Sequence, residues 1–230
     1  MRLCSFAAGA LFLVSATVAP AQSVVDPAGD FLAGYTGAHN PDLDILSANV
    51  SFDGMNFLLS STQAGAVGSS TGSIFVWGVD RGSGAARLAA GTPSYGVLFD
   101  SVVVMFPDGT LRVVTIPTAG APTITNIAGG VSVIGDSLSA SVPLSLLSSA
   151  GLAPLDYDFT LWWRLRVNPA LDGASSEIAD FAPNAGALSA VAVPEPATWL
   201  SLLLGFGVIG GAMRFGNIKS LKTDRLVTVQ

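Results

Sequence analysis

Residues 156–167 read DYDFTLWWRLRV. Tyr157, Phe159, Leu161, Trp163, Leu165 and Val167 fall on one face of an extended chain, while Asp158, Thr160, Trp162, Arg164 and Arg166 fall on the other. Side chains alternate across a strand with a period of two, so this spacing predicts a β-strand with one face turned to a core. Similar runs lie upstream at Leu43–Val50, Asn56–Ser61, Ser73–Asp80, Val97–Met105, Leu111–Ile116 and Ser137–Val142. They are rich in Val, Ile, Phe and Thr and are separated by Gly, Pro, Asp and Ser. Asp53-Gly54 and Asp108-Gly109 each stand between apolar residues, a strong hairpin signal. Only PLSLLSSAG (Pro143–Gly151) reads as a helical turn or two, with proline first and glycine last. Many short strands and almost no helix predict an all-β fold, an antiparallel β-sandwich of jelly-roll type.

The two ends differ from this middle. Arg2 precedes an apolar run from Leu3 to Val18, and Ala19-Pro20-Ala21 supplies the small-x-small pattern that signal peptidase accepts. Residues 1–21 therefore read as a secretory signal peptide cleaved after Ala21. The single cysteine, Cys4, leaves with it, so the mature domain has no disulfide to rely on. Residues 22–192 are of ordinary size for one domain. They hold thirteen Asp and one Glu against five Arg and no Lys; fourteen acids against five bases leave nine net negative charges. Nucleic-acid binding rests on cationic contacts to phosphate, and this surface excludes it.

Near the carboxyl end stands VPEPATWLSLLLGFGVIGGAMR, Val193–Arg214. Residues 197–213 carry no charge, at the short end of the length that spans a bilayer. Trp199 sits at the entry to this run, where an amphipathic ring meets headgroups. Arg214, Lys219, Lys222 and Arg225 follow, with Asp224 the only acid among them. By the positive-inside rule, residues 215–230 are a basic cytoplasmic tail and the acidic domain lies outside. Pro194 and Pro196 hold the approach extended and stop a helix from growing outward.

Val193, Pro194, Glu195, Pro196, Trp199 and Arg214, set around that apolar span, resemble the PEP-CTERM sorting signal of Gram-negative bacteria in its PEPxxW form. The resemblance covers residues 193–214. It implies an inner-membrane-anchored precursor, processing by the membrane protease exosortase, and delivery to the cell surface or extracellular matrix. It also implies an association with exopolysaccharide and biofilm, while the scarcity of catalytic patterns in the domain predicts a non-enzymatic role. The chain departs from the family in its end: Arg214 stands alone and sixteen further residues follow it. Within the domain, the acidic turn DPAGD (Asp26–Asp30), the hairpin DLDILSANVSFDG and the late LSASVPLSLL are similar in order to bacterial sandwich domains of the carbohydrate-binding-module or DOMON-like kind.

Chemistry-bearing patterns are few. His39 is the sole histidine and reads as a loop residue, which leaves no histidine-rich zinc site. No Gly-x-Ser-x-Gly elbow is present, and DRGSGAAR (Asp80–Arg87) has no phosphate-loop spacing; it reads as a polar hairpin loop. Asp42/Asp44 and Asp156/Asp158 lie two apart and, on strands, would share a face about 6.6 Å apart, near the lower bound for an inverting polysaccharide hydrolase. Asp26, Asp30, Asp42 and Asp44 are the candidate ligands for Ca²⁺, which takes several oxygen donors. Trp162, Trp77 and Tyr95 are the candidate aromatics for a carbohydrate-binding role, with Trp162 foremost because it faces away from the presumed core.

Overall fold

The computed structural model describes residues 23–88, 96–166, 175–193, 202–207 and 209–210. The chain folds into two sheets that pack face to face. One sheet holds β1 (Ser23–Val25), β2 (Ile45–Phe52), β3 (Asn56–Gln63), β9 (Ser137–Pro143) and β8 (Val131–Ile134) in that order, with β13 (Val191–Ala192) pairing β2 beyond β1. The other runs β11 (Ile178–Ala182), β10 (Asp158–Leu165), β4 (Ser73–Asp80), β5 (Ser101–Met105), β6 (Leu111–Thr115) and β7 (Thr123–Ile127), with β12 (Leu188–Ser189) also on β10. All named pairings are antiparallel except β13 on β2. The all-β expectation and its two-sheet form are borne out.

Strand order departs from the jelly-roll expectation. β4 to β7 follow one another as a meander within one sheet, where a jelly roll sends consecutive strands back and forth between sheets. The physical reason is local: the β5–β6 turn Phe106–Thr110 is tight, Gly109 supplies φ +89°, and the Asp108 carboxylate accepts the Thr110 N–H at 2.8 Å. The Asp53-Gly54 turn joins β2 to β3 by the same chemistry. There Asp53 Oδ1 accepts the N–H groups of Met55 and Asn56 at 2.8 and 2.6 Å.

Facing positions fill the space between the sheets. Ala48 and Val50 of β2, Phe57 and Leu59 of β3, and Leu138, Ala140 and Val142 of β9 meet Phe159, Leu161 and Trp163 of β10 and Leu111 and Val113 of β6. Phe57 links the two layers directly, its ring 5.4 Å from Tyr157 and 5.3 Å from Phe159.

Several boundaries differ from the sequence reading. The run Val97–Met105 becomes a strand only from Ser101, because Asp100 turns inward to Arg81 and diverts the chain. The turn or two expected within Pro143–Gly151 is one 3₁₀ turn at Leu144–Leu146. The signal peptide 1–21 with Ala19 and Ala21, the motif residues Pro194, Glu195, Pro196 and Trp199, Arg214, and the tail 215–230 lie outside the described residues. Residues 202–207 are helical, and no helix among the described residues is long and apolar enough to cross a membrane.

Candidate metal centre

β2 begins at Ile45, and its N–H points across to the other sheet, where Asp180 Oδ2 accepts it at 2.7 Å. Asp180 sits in the middle of β11, among Ile178, Ala179, Phe181 and Ala182, and is fully buried. Its other oxygen accepts the Phe181 N–H at 2.7 Å, so the carboxylate is held in one orientation. The segment leading from β1 crosses the same edge: Leu32 N–H donates to Ala179 O at 2.9 Å, and Thr36 N–H to Ser176 O at 3.0 Å. This docking brings Asp26 and Asp30 against Asp180, with one oxygen of each lying within 4.8 Å of the others.

Asp44, directly before β2, stands beside these three. Its Oδ2 accepts the N–H of Gly29, in the turn between Asp26 and Asp30, at 2.8 Å. Gly29 has φ +81°, the left-handed conformation that lets the turn fold over the Asp44 carboxylate. Asn184, just after β11, donates its Nδ2 to Asp26 Oδ1 at 3.1 Å and to Asp30 Oδ2 at 2.6 Å. Three carboxylate oxygens remain buried with no partner: Asp26 Oδ2, Asp30 Oδ1 and Asp44 Oδ1. Asp26 is 5% exposed and Asp44 4%.

The electrostatics follow from that crowding. Burial, then the charges of Asp30 and Asp44, push Asp26 up to about 7. Burial, with the Asp26 and Asp30 charges and against two backbone N–H bonds, pushes Asp180 up to about 8. Asp44 is raised as well, chiefly by burial. Like charges this close favour either bound protons or a bound cation, because an isolated buried carboxylate is costly.

Of the four residues expected from the sequence, the structure brings Asp26, Asp30 and Asp44 together and sends Asp42 elsewhere. Asp42 lies in the 3₁₀ turn Pro41–Leu43, and its two oxygens accept Ser70 N–H and Ser70 Oγ–H, both at 2.7 Å. The sequence reading missed Asp180 and Asn184. One signal was present, an acid flanked by Ala179 and Phe181 in an apolar run, since such a charge needs a partner once buried.

The remaining candidates separate clearly. Trp77 and Trp162 are in the core, at 0% and 4% exposure, so the expected solvent-facing aromatic platform is corrected for both. β10 lies between β4 and β11 with both faces covered: Phe99 and Phe181 pack on Trp162 at 5.5 and 5.8 Å, and Gly78 makes room for its ring. Tyr95 lies outside the described residues. The hydrolase geometry is corrected too, because neither pair lies on a strand in the way it requires. Asp156 ends a 3₁₀ turn and Asp158 opens β10, while Asp42 and Asp44 precede β2. Asp158 instead stands opposite Asp80 across β10 and β4, at a cleft of about 230 Å³ that Thr160 also lines. His39 is exposed and stacks on Phe31 at 4.4 Å.

No family model, curated protein or solved structure matches this chain.

Proposed function

We propose that this chain is a secreted, exosortase-sorted surface or extracellular-matrix protein, non-enzymatic and associated with exopolysaccharide. The observation that carries the reading is the order of features along the sequence around Val193. β13 ends at Ala192, the Val193 N–H donates to Phe52 O at 2.8 Å, and Pro194-Glu195-Pro196 follows at once. In sequence, the strands of the acidic sandwich are followed directly by the motif, the uncharged residues 197–213 and the basic residues from Arg214 onward. The expected order is membrane insertion, recognition of the proline-flanked Glu195, and release of the domain outward.

Support for a non-catalytic role comes from how the buried acids are used. Asp42 is occupied by Ser70, Asp100 by Arg81 and Ser83, and Glu177 by Arg164 at 2.8 Å. These are the bonds of a scaffold, tying buried acids to neighbouring Ser and Arg side chains.

The test is the intact mass of the surface-associated protein from wild-type cells and from cells lacking exosortase. A mature chain ending near Val193–Pro196 only in the wild type is the expected result. A chain still ending at Gln230 in both strains sinks the sorting reading.

A further inference from the structure

We propose that Asp26, Asp30, Asp44 and Asp180 hold one calcium ion that fastens the amino-terminal segment across the edge of the two sheets. The proposal stands apart from the sorting reading and survives its failure. Acidity alone does not carry it. The second observation is the set of buried oxygens without a partner: Asp26 Oδ2 and Asp44 Oδ1 belong to side chains more than nine-tenths buried, and Asp30 Oδ1 is buried beside them. Carboxylates accept only, so these oxygens call for a proton or a cation.

The donor set selects the ion. Every residue of the cluster is an aspartate, so each side-chain donor is an oxygen, with no His or Cys among them to supply the nitrogen or sulfur that zinc favours. One oxygen from each of Asp26, Asp30 and Asp180 lies within 4.8 Å of the others. That spacing leaves these oxygens close enough to share one cation with bonds of about 2.3–2.6 Å, the calcium range. Mg²⁺ needs a stricter octahedron and keeps its waters, which a site of clustered, largely buried carboxylates does not favour. Asn184 lies over Asp26 and Asp30; turning its amide about the terminal torsion presents Oδ1 as a further ligand. Asp180 stays in place because the Ile45 and Phe181 N–H groups take one lone pair of each oxygen and leave the second free.

The consequence is a staple. The ligands come from the β1–β2 segment, from the residue before β2, and from β11 of the opposite sheet. One ion therefore joins the amino-terminal segment to both layers, in a domain whose sequence offers no disulfide.

The experiment uses the full chain purified in detergent, stripped with EDTA and titrated with CaCl₂ by calorimetry, with Tb³⁺ luminescence as a second readout. One site per chain with Kd at or below about 1 mM is expected, the range of extracellular calcium modules. Asp30→Asn, which changes a half-exposed group and keeps its shape, should weaken Kd at least tenfold. Asp42→Asn should leave Kd unchanged. Calcium should also shield the bonds around residues 26–36 from proteolysis, and chelation should expose them. No calorimetric heat with no Tb³⁺ signal overturns the proposal. So does an equal Kd for Mg²⁺, or an unchanged Kd in Asp30→Asn.

Discussion

Asp100 is fully buried, and its carboxylate accepts four hydrogen bonds, from Arg81 N, Arg81 Nε, Ser83 N and Ser83 Oγ. Burial alone would raise its pKa, but Arg81 and Ser83 outweigh burial and hold the group below its ordinary value. A carboxylate with a lowered folded pKa stabilises the protein fully above the unfolded value of about 3.9, and that contribution is lost as pH falls through the folded value. Asp100→Asn leaves the Arg81 guanidinium without its counter-charge, so it should cost about 3–5 kcal/mol in urea unfolding at pH 7. The variant should also lose part of the acid dependence that the parent shows below about pH 4. Gly78 makes a second prediction at this scale. A Cβ built there lies 2.7 Å from Trp162 Cζ3, so Gly78→Ala forces the indole to move. A loss of about 1–3 kcal/mol with a shift in tryptophan emission is expected; an unchanged spectrum and melting curve would refute this packing.

At the scale of elements, position in the sandwich decides what a side chain contributes. Phe57 of β3 is fully buried against Tyr157 and Phe159, the contact that ties one sheet to the other. Phe57→Ala should cost about 3–5 kcal/mol. Ile134 ends the edge strand β8 at 75% exposure, and Ile134→Thr should stay within about 0.5 kcal/mol of the parent. Comparable losses at both sites would contradict the two-sheet packing. The same contrast explains which strands were legible in the sequence. β4 appears over Ser73–Asp80 as the sequence predicts, and the expected runs at β2, β3, β6, β9 and β10 match within about two residues. β7 and β8 were missed because as edge strands they are short and largely exposed, with little apolar contrast between faces. β11 was missed for the opposite reason: Ile178–Ala182 is buried on both faces, so no alternation marks it, and Asp180 interrupts the apolar run.

For the whole molecule, the proposed calcium site predicts that occupancy sets how firmly the amino-terminal segment is fixed. A ligand that binds only the folded state, at a hundredfold over its Kd, adds about 2.7 kcal/mol. For a domain of this size that corresponds to a rise in Tm of about 5–10 °C in the titration described above. The gain should vanish in EDTA and shrink in Asp30→Asn. β1 and β13 both pair with β2, at Asn49–Ser47 and Ser51–Phe52 respectively, so the two borders of the domain meet on one strand. Tightening the amino-terminal border therefore acts close to Val193, where the motif begins.

By itself the sequence determined the class of fold, the hairpin turns at Asp53-Gly54 and Asp108-Gly109, and the acidity of the domain. These are properties of local alternation, turn chemistry and composition, which need no partner distant in the chain. It also indicated three of the four clustered aspartates, because Asp26, Asp30 and Asp44 lie close together in sequence. Only the tertiary structure decided that Asp42 belongs to Ser70, that Trp162 is enclosed by Phe99 and Phe181, and that Asp180 completes the cluster. Each of those outcomes depends on which strands become neighbours. The contact between Ile45 and Asp180 spans 135 residues of chain, a distance over which no sequence period carries information.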